Sequence, residues 1–74
     1  MVEIAVPVSG TVVEVHVCEG DAVEKDTHLF TLELAKTLII VRSTIRGVVA
    51  KFGIALGDDV DTDQVAVIID ESES

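Results

Sequence analysis

The chain has 74 residues, 49% of them apolar, with 14 acidic against 5 basic side chains and a net charge of −9. That length accommodates one small domain and excludes a large enzyme with its own substrate cavity, because so short a chain buries only about 60% of its unfolded surface. The lone Cys18 excludes an internal disulfide scaffold and fits a reducing compartment, and the negative surface, which repels phosphate, argues against nucleic acid and anionic membranes as partners.

Valine and isoleucine dominate the apolar set, and the only aromatic side chains are Phe30 and Phe52. β-Branched residues pack well on a pleated surface, and no segment combines a helical period with caps, so the expected fold class is all-β. Met1-Val2-Glu3 has no basic n-region, so no signal peptide and a cytoplasmic location are expected. The stretch Val2–Val6 alternates weakly and ends at Pro7. Val13, Val15 and Val17 then share one face of a strand, with Glu14, His16 and Cys18 on the other. Glu19-Gly20-Asp21 is a turn, and Leu29–Glu33 is the next strand. Glu33-Leu34-Ala35-Lys36-Thr37 links it to strand Leu38–Val41, which reads as a hairpin with Lys36 near its tip. Strand Val48–Ile54, a turn at Gly57-Asp58 and strand Val65–Ile69 follow. Apolar runs such as Leu38–Val41 are far too short to span a bilayer. The expected core is Val13, Val15, Val17, Leu32, Val49, Ile54, Val67 and Ile69. Residues 1–70 form the expected domain, and residues 71–74 an acidic, disordered tail.

The second half repeats the first. A shift of 37 residues places Gly10 on Gly47, Val12 on Val49, Gly20 on Gly57, Asp21 on Asp58, Val23 on Val60 and Asp26 on Asp63 without a gap. Both Gly-Asp-x-Val segments are turn punctuation, so equivalent tight turns are expected, each closed by the Asp side chain. The hairpin is the one element the repeat does not duplicate. Its lysine is one of only three, with Lys25 and Lys51, and loop tips are where a rigid sheet presents a group to partners.

Several segments together resemble the biotinyl/lipoyl attachment domains. They are Pro7-Val8-Ser9-Gly10-Thr11-Val12, Glu19-Gly20-Asp21-Ala22-Val23, Leu32-Glu33-x-x-Lys36, Gly47-Val48-Val49 and Gly57-Asp58-Asp59-Val60. The resemblance covers Val2 to Asp70. It implies a flattened barrel or sandwich of two four-stranded antiparallel sheets with quasi-twofold symmetry, the barrel-sandwich hybrid. It also implies a cofactor held in an amide on Lys36, with Glu33, Ala35 and Thr37 as the hairpin flank, and a separate lipoate or biotin ligase as a partner. An exposed amine suffices for such a ligase, which brings the acyl group already activated. Tethering a long arm to a rigid post raises the local concentration of the group at partner active sites. The domain then needs no catalytic residues of its own, because the chemistry belongs to the cofactor.

The neighbours of Lys36 match neither branch of the family. Biotinyl domains typically flank the lysine with methionines, and lipoyl domains with Asp before it and Ala after it; here they are Ala35 and Thr37. The gapless Pro7-x-x-Gly10-Thr11-Val12 resembles the biotinyl side, while Val2–Pro7 resembles lipoyl domains of 2-oxo-acid dehydrogenase acyltransferases. The missing methionines, large contact surfaces for a modifying enzyme, tilt the expectation to lipoate, with a swinging arm serving the active sites of a 2-oxo-acid dehydrogenase complex. The alternatives are biotin, in a carboxylase or decarboxylase, and an unmodified structural module like the lipoyl-like domains of efflux adaptors.

Other clusters have plainer readings. Glu14, His16 and Cys18 share a strand face, with His28 the only further histidine; a solvated face, not a metal site, is expected. Glu14 and Glu19 are expected to raise the Cys18 pKa and blunt it as a nucleophile. Asp58, Asp59, Asp61 and Asp63 lack the glycine and terminal glutamate of a calcium loop and read as a solvated turn. No acid occurs from Leu34 to Gly57, where Lys36, Arg42, Arg46 and Lys51 lie. That segment is either a polarised docking surface or a chance placement.

Overall fold

The valine-rich segments fold into strands, as their alternation predicts. The computed structural model describes residues 1–71. It contains β1 (Val2–Ala5), β2 (Gly10–Val15), β3 (Ala22–Val23), β4 (His28–Leu34), β5 (Thr37–Arg42), β6 (Gly47–Phe52), β7 (Asp59–Val60) and β8 (Val65–Glu71). They form two four-stranded sheets, in the orders β1-β8-β6-β3 and β5-β4-β2-β7. Every pairing is antiparallel, and the body is elongated, 40 × 17 × 17 Å. No helix among the described residues is long and apolar enough to cross a membrane.

The 37-residue repeat is a real quasi-twofold. It carries β1 onto β5, β2 onto β6, β3 onto β7 and β4 onto β8, and so turns one sheet into the other. The turns obey it hydrogen bond by hydrogen bond. Gly20 N donates to Val49 O at 2.8 Å and Gly57 N to Val12 O at 2.7 Å. Asp21 Oδ2 accepts from Cys18 N at 2.9 Å, and Asp58 Oδ2 from Ala55 N at 3.0 Å. Gly20 and Gly57 have φ of 93° and 90°, the left-handed region that glycine enters without penalty. Asp26 and Asp63, also equivalent, have φ of 72° and 68°. The expected turn chemistry is therefore present at both sites.

The core is aliphatic around one phenylalanine. Phe30, Leu29, Leu32, Ile69, Val12, Val49 and Val67 are its largest members along with Val6, and Phe30 meets Phe52 with ring centroids 6.3 Å apart. Leu32, Val49, Ile54, Val67 and Ile69 are buried as expected. Strand β2 and the residues just after it correct the expectation. Val13 and Val17 are only half-buried and Val15 is 37% exposed, while Val12 is 1% exposed. The register jumps between Val12↔Leu32 and Glu14↔Thr31, so Val13 is a bulge residue with no partner. A bulge adds one residue and reverses the phase of alternation. The equivalent bulge in β6 falls at Ala50, between Val49↔Ile69 and Lys51↔Ile68. The two Gly-Asp-x-Val segments are more than turns: each continues into a two-residue strand, β3 or β7. Glu71, assigned to the tail on composition, pairs with Gly47 at the end of β8, and residues 72–74 of that tail lie outside the described residues.

Two stability outcomes follow from this register. Val12→Ala should cost about 2 kcal/mol or more in urea unfolding, and Val15→Ala less than about 1 kcal/mol. At Gly57 an added Cβ meets nothing within 4 Å, so Gly57→Ala should cost only the backbone strain of a left-handed L-residue, roughly 1–2 kcal/mol. Gly20→Ala should cost the same.

Candidate attachment site

Strands β4 and β5 pair without a break from Phe30↔Val41 to Leu34↔Thr37, which leaves Ala35 and Lys36 as a two-residue turn. Their φ values are 50° and 68°. A two-residue hairpin loop with both central residues left-handed is a type I′ turn, whose twist matches that of the strands it joins. The residues that suit it are Asn and Gly; side chains such as Ala and Lys cost roughly 1–2 kcal/mol each there. The surroundings hold this strain in place. Below the turn β4 is buried from Leu29 to Leu32, and β2 locks against it through Val12↔Leu32 and Thr11↔Glu33. Gly10 permits that close approach, since a Cβ there would stand 2.8 Å from the Glu33 carbonyl oxygen.

The tip is thus a rigid post ending in an exposed lysine. Among the described residues no ion pair engages Lys36. Glu33 and Thr37 are exposed, paired with Leu38 and Leu34 respectively. Leu34 and Leu38 are 44% and 62% exposed, two apolar shoulders beside the amine that alternation alone would place in a core. Their signal was two leucines at strand ends within a hairpin too short to give both a core partner. Strand β1 runs from residue 2 toward the loop that delivers Gly10 beside Glu33. The tip therefore points away from the end of the body where Val2 pairs with Ile69 and Gly47 with Glu71.

The other candidate residues sort by geometry. Cys18 Sγ lies 3.6 Å from Asp21 Oδ2, and its thiol is pushed up first by the charge of Asp21 and its hydrogen bond, with burial and Glu19 adding. Asp21, not Glu14, supplies that effect. The structure brings His28 rather than Cys18 to Glu14 and His16. The aspartate run is structural: Asp58 closes its turn, Asp59 Oδ1 accepts from Thr11 Oγ1 at 2.8 Å, and Asp63 N donates to Val6 O. Two cations of the acid-free segment are engaged by the turn between β3 and β4. Arg46 Nε lies 3.2 Å from Glu24 Oε2, and Arg42 Nη1 donates to Asp26 O at 3.0 Å.

The two four-stranded sheets, with an exposed lysine on a strained hairpin, define the class, a small antiparallel β-domain with an internal quasi-twofold. The model of the family described as "Biotin-requiring enzyme" matches residues 1–69, and the chain belongs to that biotin/lipoyl family. It is a carrier domain and not itself the catalyst. No curated protein matches the sequence. Among solved structures it is similar to the Kluyveromyces lactis urea carboxylase, at TM-score 0.84 and 25% identity over 92% of this chain and 6% of that one. It also shares the fold of a single-chain, multi-domain long-chain acyl-CoA carboxylase, at TM-score 0.88 and 21% identity over 97% of this chain and 7% of that one. The chain thus spans less than a tenth of either protein.

Relieving the tip should separate folding from presentation. Replacing Ala35 with Asn and Lys36 with Gly should raise the stability by roughly 1–2 kcal/mol in total in thermal or urea unfolding, less than the summed strain because Asn keeps part of it and Gly adds unfolded-state entropy, with the sheets unchanged by NMR. A pH effect is expected at the base of the same strand. The His28 imidazole is held below its ordinary value, first by desolvation, then by His16 and Arg42. Its unfolded form therefore binds a proton more readily. The stability this group contributes is full above about pH 6.5, the unfolded value, and is lost as pH falls through the lower folded value. In metal-free buffer His28→Gln should flatten that part of the stability–pH curve.

Proposed function

We propose that this domain carries biotin in an amide on the ε-amine of Lys36 and delivers it between active sites of a biotin-dependent carboxylase. The observation that carries this reading is the type I′ tip, where two residues stand in left-handed conformations that stability alone would assign to Asn and Gly. A lysine kept there despite the strain is kept for what its amine does. The choice of biotin rests on three supports: the family's description as biotin-requiring, the urea carboxylase as a structural relative, and the gapless loop from Pro7 to Thr11. Ala35 and Thr37 had tilted the expectation to lipoate; these supports tilt it back.

The tip suits an acyl-transfer partner. A ligase presents the activated carboxyl group; the amine attacks the carbonyl carbon, the C–N bond forms, the bond to the activating group breaks, and a proton leaves to water. The exposed Leu34 and Leu38 give that ligase an apolar purchase on either side of Lys36, while Ala35 adds no bulk at the neighbouring position. The loaded side chain then sweeps a wide radius from a fixed root, which raises the concentration of the carried group at the acceptor sites. The lipoyl reading keeps the same post and exchanges the arm and the ligase.

Intact-mass spectra after incubation with biotin ligase, biotin and ATP, and in parallel with lipoate ligase, lipoate and ATP, test the proposal. One biotin is expected on the wild-type chain and none on Lys36→Arg, which keeps the charge and removes the acylable amine. Lys25→Arg and Lys51→Arg should label normally. Lipoate incorporation alone would replace the cofactor and keep the carrier, labelling at Lys25 or Lys51 would move the site, and no labelling by either enzyme would favour the unmodified adaptor.

A further inference from the structure

The face of β2 and β4 remote from the hairpin carries a second group of functional side chains. Glu14, His16 and His28 offer ligand atoms that all lie within 4.8 Å of one another. His16 Nε2 is 3.7 Å from Glu14 Oε1, and the two imidazoles stand with centroids 4.1 Å apart. Beneath them His28 Nε2 is 2.6 Å from Thr31 Oγ1. Thr31 is itself 1% exposed, so the ring that contacts it is held from below by a buried hydroxyl. β4 is seven residues long from His28 to Leu34, which puts the group roughly 23 Å from the tip at ~3.3 Å per residue.

The quasi-twofold provides an internal control. The positions equivalent to Glu14, His16, His28 and Thr31 in the other sheet are Lys51, Gly53, Val65 and Ile68. There the same place in the fold is an open pocket of about 250 Å³ lined by those four residues with Glu3 and Ala66. The architecture is therefore satisfied by a cation, a glycine and two aliphatic side chains. Two histidines and a glutamate converging at the matching place are not a requirement of the fold.

We propose that Glu14, His16 and His28 bind a borderline divalent transition-metal ion of the Zn²⁺ class, with Thr31 orienting the His28 ring. Imidazole and carboxylate ligands suit Zn²⁺ and its first-row neighbours, whereas Ca²⁺ and Mg²⁺ take oxygen sets. Bonds of ~2.0–2.1 Å in tetrahedral geometry bring ligand atoms to about 3.4 Å apart, so the side chains close inward on binding. Glu14 and His16 are exposed and free to do so. Three protein ligands leave a fourth position for water. Thr31 plays the part of the outer partner that fixes a ligating imidazole. Cys18 stays outside the set, because its sulfur is directed to Asp21. The acidic surface, at net charge −9, draws cations toward the site.

Calorimetric titration of the chelator-treated protein with Zn²⁺ tests this, with imidazole nitrogen shifts followed by NMR. One site per chain is expected, with both His16 and His28 shifting. Glu14→Gln and His16→Gln should each weaken binding by at least about tenfold, and Cys18→Ser should leave it unchanged. Both glutamine variants replace exposed side chains and should keep the wild-type fold by circular dichroism. Absence of binding, binding indifferent to His16→Gln, or binding abolished by Cys18→Ser would overturn the proposal. Labelling of Lys36 is a separate readout, so failure here leaves the carrier reading standing.

Discussion

Two short turns hold the molecule together by reaching across it. The Gly20-Asp21 turn donates to Val49 O and accepts from Val49 N, while the Gly57-Asp58 turn does the same with Val12. Each turn leads into a two-residue strand, β3 or β7, that completes the sheet begun by the other half of the chain. Neither half can close its own sheet. A two-stranded ribbon is marginal alone in water, so the halves gain stability only together, and a domain with so small a core can still adopt one defined structure. The left-handed glycines and the aspartates that cap the turns are local devices in the service of this long-range exchange.

The same interlock explains how strain is tolerated at the tip. A type I′ turn made of Ala35 and Lys36 would weaken an isolated hairpin. Here β4 is an inner strand, paired with β5 on one side and β2 on the other, and its residues Leu29 to Leu32 are buried. The strain is thereby paired with rigidity directly below it, so the amine is presented from a fixed root and not from a mobile loop. The repeat has no second such hairpin among the described residues. The quasi-twofold is broken at a second place too, where Glu14, His16 and His28 face an equivalent site made of Lys51, Gly53 and Val65. Core positions also differ between the halves, as Leu29 and Ala66 or Phe30 and Val67 do, but there one apolar side chain replaces another.

Much of this was legible in the residues themselves. The β-branched composition and period-2 alternation carried the fold class, and the Gly-Asp pairs at one spacing carried the repeat, because turn conformation is set by local chemistry that a single residue can report. The hairpin and its lysine were legible for the same reason: two strands and a short link bracket one position. What the alternation could not carry was its own phase. A bulge at Val13 moves Val12 into the core and Val15 out of it, and a bulge is decided by the neighbouring strand's register, not by the strand's own sequence. Nor did Ala35 and Thr37 report the shape of the whole tip, where Leu34 and Leu38 are exposed on the two strands that flank the turn.

The sequence by itself determined the longer strands, the repeat and the one exposed lysine at a hairpin, all of which depend on interactions within a few positions along the chain. Only the tertiary structure decided which strand completes which sheet, which valines are buried, and that His28 rather than Cys18 joins Glu14 and His16. Those outcomes depend on residues brought together from opposite halves or adjacent strands, where distance along the chain carries no information about distance in space.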